Sequence, residues 1–282
     1  MTISNNFFLR RGAQLLRLAS VLILAGCALW LVLRVPVNHA RAVTPANPLP
    51  DLRGREAVDH LKQEGLYDTL AEAVAAARYN ADTMPSVDAY QFSNPVQGLR
   101  ATFTSSGARF VSSKGGRYRE LATKLIGYGY GSRMTALDSR NIVARRNRIE
   151  HEYSVKESAT RNPRSAIREW FVNSKAGIEH GFTLPEPPPT DRGDGEALRV
   201  EMEIGGDFEP RLDAGGQAVT LGCGTDGLTY DKLRVYDARN HEVAARFDLN
   251  RERLAIVVED DQAEYPLMID PLYAQQAKLK DP

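Results

Sequence analysis

From about residue 87 the chain alternates between apolar and polar positions. Leu99, Ala101 and Phe103 take one parity while Arg100, Thr102 and Thr104 take the other, the two-residue period of a half-buried strand. The same alternation returns in "IEHEYSV" (149–155), "IREWFV" (167–172) and "GIEHGFTL" (177–184). Past residue 197 it is cleaner. "LRVEMEI" sets Leu198, Val200, Met202 and Ile204 against Arg199, Glu201 and Glu203, and "LTYDKLRVYD", "VAARFDL", "LAIVV" and "YPLMI" follow, divided by "DAGG", "DARNHE", "NRER" and "EDDQAE". Short strands separated by turn chemistry predict a mainly β, antiparallel, sandwich-like fold. The strand–helix alternation of a parallel sheet is missing from the pattern.

Upstream the period is different. "GREAVDHLKQEGLYDTLAEAVAAARYNA" is rich in Ala, Leu and Glu, with Val58, Leu61, Leu66, Leu70, Val74 and Ala77 at near-helical spacing. This predicts two short helices broken near Gly65 and finished by Met84-Pro85. The stretch "LPEPPPTDRGDGEA" (184–197) carries four prolines and two glycines and reads as a stiff surface linker or long loop. Pro271 is expected to end the last strand and leave a polar tail. The resulting division is a signal or anchor (1–42), a linker with short helices (43–84), a first β region (85–184), a Pro/Gly-rich linker (185–197), a second β region read as an antiparallel meander (198–271) and a terminal stub (272–282). Whether the two β regions make one sandwich or two depends on pairings between distant strands, and both stay open.

Composition adds a compartment to this picture. At 282 residues and 43% hydrophobic the chain has ample material for a core. Its 36 basic and 36 acidic groups cancel overall, but the first 42 residues hold Arg10, Arg11, Arg17, Arg34 and Arg41 and no acid. The remainder is mildly acidic at −5, from 31 basic against 36 acidic groups, so nucleic acid is not an expected partner. Leu18 to Leu33 is uncharged behind a basic start, the form of an export signal. Three outcomes stay open for it: cleavage after Ala42 in "HARA", a lipobox "LAGC" ending at Cys27, or an uncleaved anchor held by Arg17 and Arg34. Secretion, the periplasm and an anchored envelope position all follow from one or another of these, and membrane contact runs through this segment alone. Cys27 and Cys223 are the two cysteines, and with Cys27 in the signal no internal disulfide is expected in the mature chain.

Candidate chemistry is sparse. The pairs Glu150/Glu152 and Glu201/Glu203 sit on the polar parity of strands, where solvated charges belong, rather than as the acid and nucleophile of a glycosidase. His151 and His180 share the apolar parity of their strands and read as hydrogen-bonded structural histidines. No zinc-ligand spacing, nucleophile elbow or phosphate loop is present, so no catalytic residue, cofactor or metal is expected. Cys223 reads as a small buried thiol. Two recognition candidates remain. Arg192-Gly193-Asp194 spells an integrin-type tripeptide in the Pro-rich loop, and Tyr128 and Tyr130 alternate with glycine in "IGYGYGS", suited to a sheet edge or, if exposed, to stacking on carbohydrate. A cell-surface polysaccharide or protein is the partner class these imply.

Four segments carry a resemblance: "NPVQGLRATFTSSGARFV", "EWFVNSKAGIEHGFTLPEPP", "LRVYDARNHEVAARFDL" and "YPLMIDPLYAQQAKL". In order and spacing they resemble the N-terminal head region of large secreted bacterial proteins with FG-GAP (integrin-like propeller) repeats, over about residues 51 to 279. The resemblance implies a non-enzymatic, sandwich-like presentation head ending in Ile-Asp-Pro, with "AQQAKL" as the first strand of a repeat array. The Phe-Gly-Gly-Ala-Pro segments and acidic calcium loops of such repeats do not occur in this sequence, so calcium binding does not carry over. The expected function is a non-catalytic exported module with a structural role; the alternatives are an adhesion module using exposed aromatics such as Tyr128, Tyr130 and Trp170, and, more remotely, a glycoside hydrolase.

Overall fold

A computed structural model describes residues 52–113, 118–156, 166–222 and 227–275. The processing candidates Ala42 and Cys27, the thiol of Cys223 and the tail from residue 276 lie outside the described residues. Two compact units divide the chain at Met1–His60 and Leu61–Pro282. Helices α1 (Arg55–Gln63) and α2 (Tyr67–Ala77) form as the 3.6-residue spacing predicts, with Gly65 at φ +68 between them. A left-handed backbone there favours glycine and breaks the helix. Neither helix buries a residue, and Leu66, just before α2, stands exposed with Leu70 and Val74 on it. No helix among the described residues is long and apolar enough to cross a membrane.

Among the described residues sixteen antiparallel strands follow and form two facing layers. The first layer runs β1 (Asp82–Met84), β2 (Ala89–Asn94), β3 (Leu99–Thr104), β4 (Gly107–Ser112), β5 (Arg119–Tyr130), β10 (Leu198–Gly206), β15 (Arg253–Val258) and β14 (Ala245–Asn250). The second runs β6 (Arg133–Arg145), β7 (Arg148–Val155), β8 (Ile167–Ser174), β9 (Gly177–Leu184), β16 (Leu267–Gln275), β13 (Leu228–Tyr236), β12 (Val219–Leu221) and β11 (Pro210–Leu212). Strand β6 joins them: Arg133 to Ala136 pair with β5, whereas Leu137 to Arg145 pair with β7. Strands that change layer in this way close corners in a sandwich.

The two β regions are therefore woven together. A self-contained meander over 198–271 would pair β10 with the next strand in sequence, but β10 lies between β5 and β15. Likewise β16 lies between β9 and β13. Leu61–Pro282 is one unit, and the Pro-rich stretch after Leu184 is a loop carrying the chain from the second layer to the first. The apolar parities read from the sequence meet in its interior: Leu99, Ala101, Phe103, Leu198, Val200, Met202 and Ile204 are all buried. Phe103 of the first layer lies 4.6 Å from Phe171 of the second, Phe110 lies 4.7 Å from Tyr273, and Tyr230 lies 5.0 Å from Phe247.

Pro271 does not end the last strand. β16 continues to Gln275, with Leu272 opposite Asp231 and Glu179, and Tyr273 opposite Tyr230 and Ile178. Proline cannot donate to a ladder, and here none is asked of it. Strand β13 bulges between Asp231 and Arg234, with Lys232 at φ +56, so the register skips past Pro271 on that side. Ala274 pairs with Thr229 and Gln275 with Leu228 inside the sheet, so the first two residues of "AQQAKL" belong to β16.

The outer face of the second layer holds one close approach. Trp170 lies across Gly181, directly opposite on β9, where an added Cβ would come within 2.1 Å of the indole. Arg148 covers the other side at 4.5 Å, leaving Trp170 only 4% exposed. Gly181→Ala is expected to lift the indole and destabilise the protein by about 1–3 kcal/mol, the cost of overpacking, whereas Phe103→Ala should cost about 3–5 kcal/mol through the cavity it leaves. Urea unfolding checks both; a smaller loss for Phe103→Ala than for Gly181→Ala would contradict the placement of the core between the layers.

Candidate functional site

Three neighbouring strands send ionisable side chains inward. On β7 the inward parity is Ile149, His151, Tyr153; on β8 it is Ile167, Glu169, Phe171; on β9 it is Ile178, His180, Phe182, and all nine are buried. The register places His151 opposite Glu169, and Phe171 opposite His180. Glu169 thus sits between two imidazoles inside the sandwich.

The hydrogen bonds there form an unbroken line. Glu169 Oε1 accepts from His180 Nε2 at 2.9 Å, and Oε2 accepts from the Tyr153 hydroxyl at 2.9 Å. Because Tyr153 gives its proton to the carboxylate, its oxygen accepts from His151 Nδ1, also at 2.9 Å. That fixes the proton of neutral His151 on Nδ1 and leaves Nε2 to accept from Ser139 Oγ at 2.5 Å. At the other end His180 Nδ1 meets the Tyr230 hydroxyl at 2.9 Å, and the Tyr230 ring stacks on Tyr273 at 4.1 Å. Both carboxylate oxygens are partnered, which is the condition for carrying a buried charge.

Electrostatics agrees with this assignment. Burial alone would raise the Glu169 carboxyl, but the hydrogen bond and positive potential of His180, with smaller contributions from His151 and Tyr153, hold it below the usual carboxylate range. Burial pushes His151 down, opposed only in part by Glu169. Burial and the neighbouring carboxylate push the Tyr153 hydroxyl far up, so it stays protonated and relays a hydrogen bond without ionising. The site is thus an acid–base relay with one carboxylate, of which Ser139 is the exposed member.

A second buried carboxylate ties down the Pro-rich loop. Asp260 accepts from Tyr130 at 2.8 Å, Tyr265 at 2.7 Å and Arg192 at 2.8 Å. The Arg192 guanidinium also lies 5.2 Å from the Tyr130 ring centre. Gly193 N–H donates to Glu196 Oε2 at 2.9 Å, and Asp194 is exposed in the turn beyond. The tripeptide therefore directs the Arg192 guanidinium to the buried Asp260 and leaves Asp194 exposed.

The other candidates are dispersed. Tyr128 and Tyr130 are buried, and β5 is no edge: Tyr128 pairs with Val200 and Thr135. Their rings fill the core because their strand is flanked on both sides. Glu150 contacts Arg148 and Arg168, and Glu201 contacts Arg199 and Arg253, on different layers. No group of three metal-ligating residues occurs among the described residues. Sequence reasoning missed Glu169, Tyr153, Tyr230 and Ser139 as partners of the histidines. One signal was present, a glutamate on the apolar parity of "IREWFV".

No known family model matches the sequence, and no curated protein matches it.

Two outcomes test the charge assignments. Glu169→Ala would leave the His180 and Tyr153 donors buried without an acceptor, an expected loss of about 3–5 kcal/mol in urea unfolding at neutral pH. Asp270, on the outer face, has the opposite linkage: burial and repulsion from Glu179, relieved in part by Arg148, push its carboxyl up to about 6. The folded state then holds a proton that the unfolded chain releases, so this group's stabilisation is present below about pH 4 and lost as pH rises through 6. Asp270→Asn should therefore stabilise the protein by about 1–2 kcal/mol at pH 8, discounted for partial exposure, and give no gain at pH 4. Equal effects at both pH values would contradict the raised carboxyl.

Proposed function

We propose that this chain is a non-catalytic, exported β-sandwich module of a bacterial envelope or extracellular protein, serving as a structural or presentation head of the FG-GAP type. One observation carries the reading. The richest acid–base cluster among the described residues has its carboxylate and both imidazoles buried inside the sandwich, with Glu169 only 3% exposed, where their hydrogen bonds tie neighbouring strands together. The basic, apolar N-terminus supports export, and the four resembling segments support the presentation role. Adhesion through Tyr128, Tyr130 or Trp170 is not favoured, since those rings are buried. Glycoside hydrolysis is not favoured either, since Glu150 and Glu201 are held by arginines on separate layers.

The test is fractionation of a bacterial host producing the full chain, combined with assays on chromogenic glycosides. The expected result is protein in the envelope or medium and no glycoside turnover above that of a Glu150→Gln, Glu201→Gln variant. Retention in the cytosol, or turnover lost in that variant, would overturn the proposal.

A further inference from the structure

The relay beneath the second layer reaches the surface at one point. Ser139 lies on β6 just past the crossing between layers, beside the register shift between Ser139 and Asn141 opposite β7. Ser139 is an exposed residue, and its Oγ makes a part-buried contact of 2.5 Å with Nε2 of His151, which is 2% exposed. A hydroxyl within hydrogen-bond reach of an oriented base is the pairing that activates a serine.

The rest of the relay gives His151 the form a base needs. Its Nδ1–H is engaged by Tyr153, so Nε2 is the free acceptor and points at Ser139. Tyr153 passes the constraint to Glu169, whose Oε2 is 3.8 Å from His151 Nδ1. Serine, imidazole and carboxylate therefore stand in the order of a hydrolytic triad, with a tyrosine hydroxyl inserted between imidazole and carboxylate. The groups facing His151 are Ser139 from β6, Tyr153 on its own strand and Glu169 from β8, with His180 of β9 behind Glu169.

We propose that Ser139 is an activated nucleophile, with His151 as its general base, and that it is a covalent acceptor site for acyl or phosphonyl groups from electrophilic esters and fluorides. With an ester, Ser139 Oγ bonds to the carbonyl carbon as its proton passes to His151 Nε2. The ester C–O bond then breaks, and the departing alkoxide takes that proton, leaving acyl-Ser139 and an alcohol. With a fluorophosphonate, Ser139 Oγ bonds to phosphorus as its proton passes to His151 Nε2, the P–F bond breaks and fluoride leaves, and His151 then gives up the proton to water, leaving phosphonyl-Ser139. Glu169 and Tyr153 are positioning residues. This inference goes beyond the structural role and does not depend on it, since one adduct per chain requires no turnover.

The experiment treats the full chain with a fluorophosphonate probe and maps adducts by peptide mass spectrometry between pH 5 and 8. One adduct per chain at Ser139 is expected, absent in Ser139→Ala and slowed roughly 100-fold in His151→Gln, within the usual range for a general base. Because burial holds His151 below its ordinary value, the labelling rate should stay level from pH 8 to below 6.5 and fall only under more acid conditions. The site map and the pH profile of the parent protein stand even where His151→Gln does not fold. No adduct at Ser139, or adducts spread over other serines with no change on His151 substitution, would overturn the assignment.

Discussion

A carboxylate enclosed between two β layers is tolerated only when both of its oxygens are hydrogen-bonded, and Glu169 imposes that condition on everything around it. Satisfying Oε1 requires His180 from β9, and satisfying Oε2 requires Tyr153 from β7. Each then needs its own partner, Tyr230 from β13 for His180 and Ser139 from β6 for the imidazole beyond Tyr153. Five strands are thereby held in one register. Apolar contacts between Phe103, Phe171, Phe110 and Tyr273 tolerate small displacements. A slipped strand would leave a buried charge without an acceptor or donor, which costs far more than a repacked ring.

The second constraint is topological. β16 follows every other strand of the second layer in the chain yet enters between β9 and β13, and it brings Tyr273 against Tyr230, which holds the far end of the relay. The skipped register around Pro271 lets that strand pass with an imino nitrogen in its middle. Asp260 does the same work at the layer crossing: its bonds to Tyr130, Tyr265 and Arg192 tie β5, the approach to β16 and the Pro-rich loop to one point.

The strands were legible in the sequence wherever one face is wet. The alternation in "LRVEMEI" and "GIEHGFTL" maps directly onto β10 and β9, because period-2 burial is a local property. Pairing was not legible. That β10 lies beside β5 depends on residues some seventy positions apart, and nothing in either segment encodes the neighbour. Tyr128 and Tyr130 failed for the same reason, since an edge and an interior strand share one local pattern. The histidines were readable as structural from their parity, and Glu169 could have joined them on the same ground. Ser139 could not, because its approach to His151 arises from a bulge and a strand that changes layers.

The most direct test of the account is nitrogen-15 NMR of the histidine rings in the intact chain. The relay predicts that His151 is neutral with its proton on Nδ1 down to below pH 6.5, and that His180 carries an Nε2 proton protected from exchange by Glu169. A His151 ring that protonates at the ordinary value, or carries its proton on Nε2, would contradict the hydrogen-bond order on which both the register and the activation of Ser139 rest.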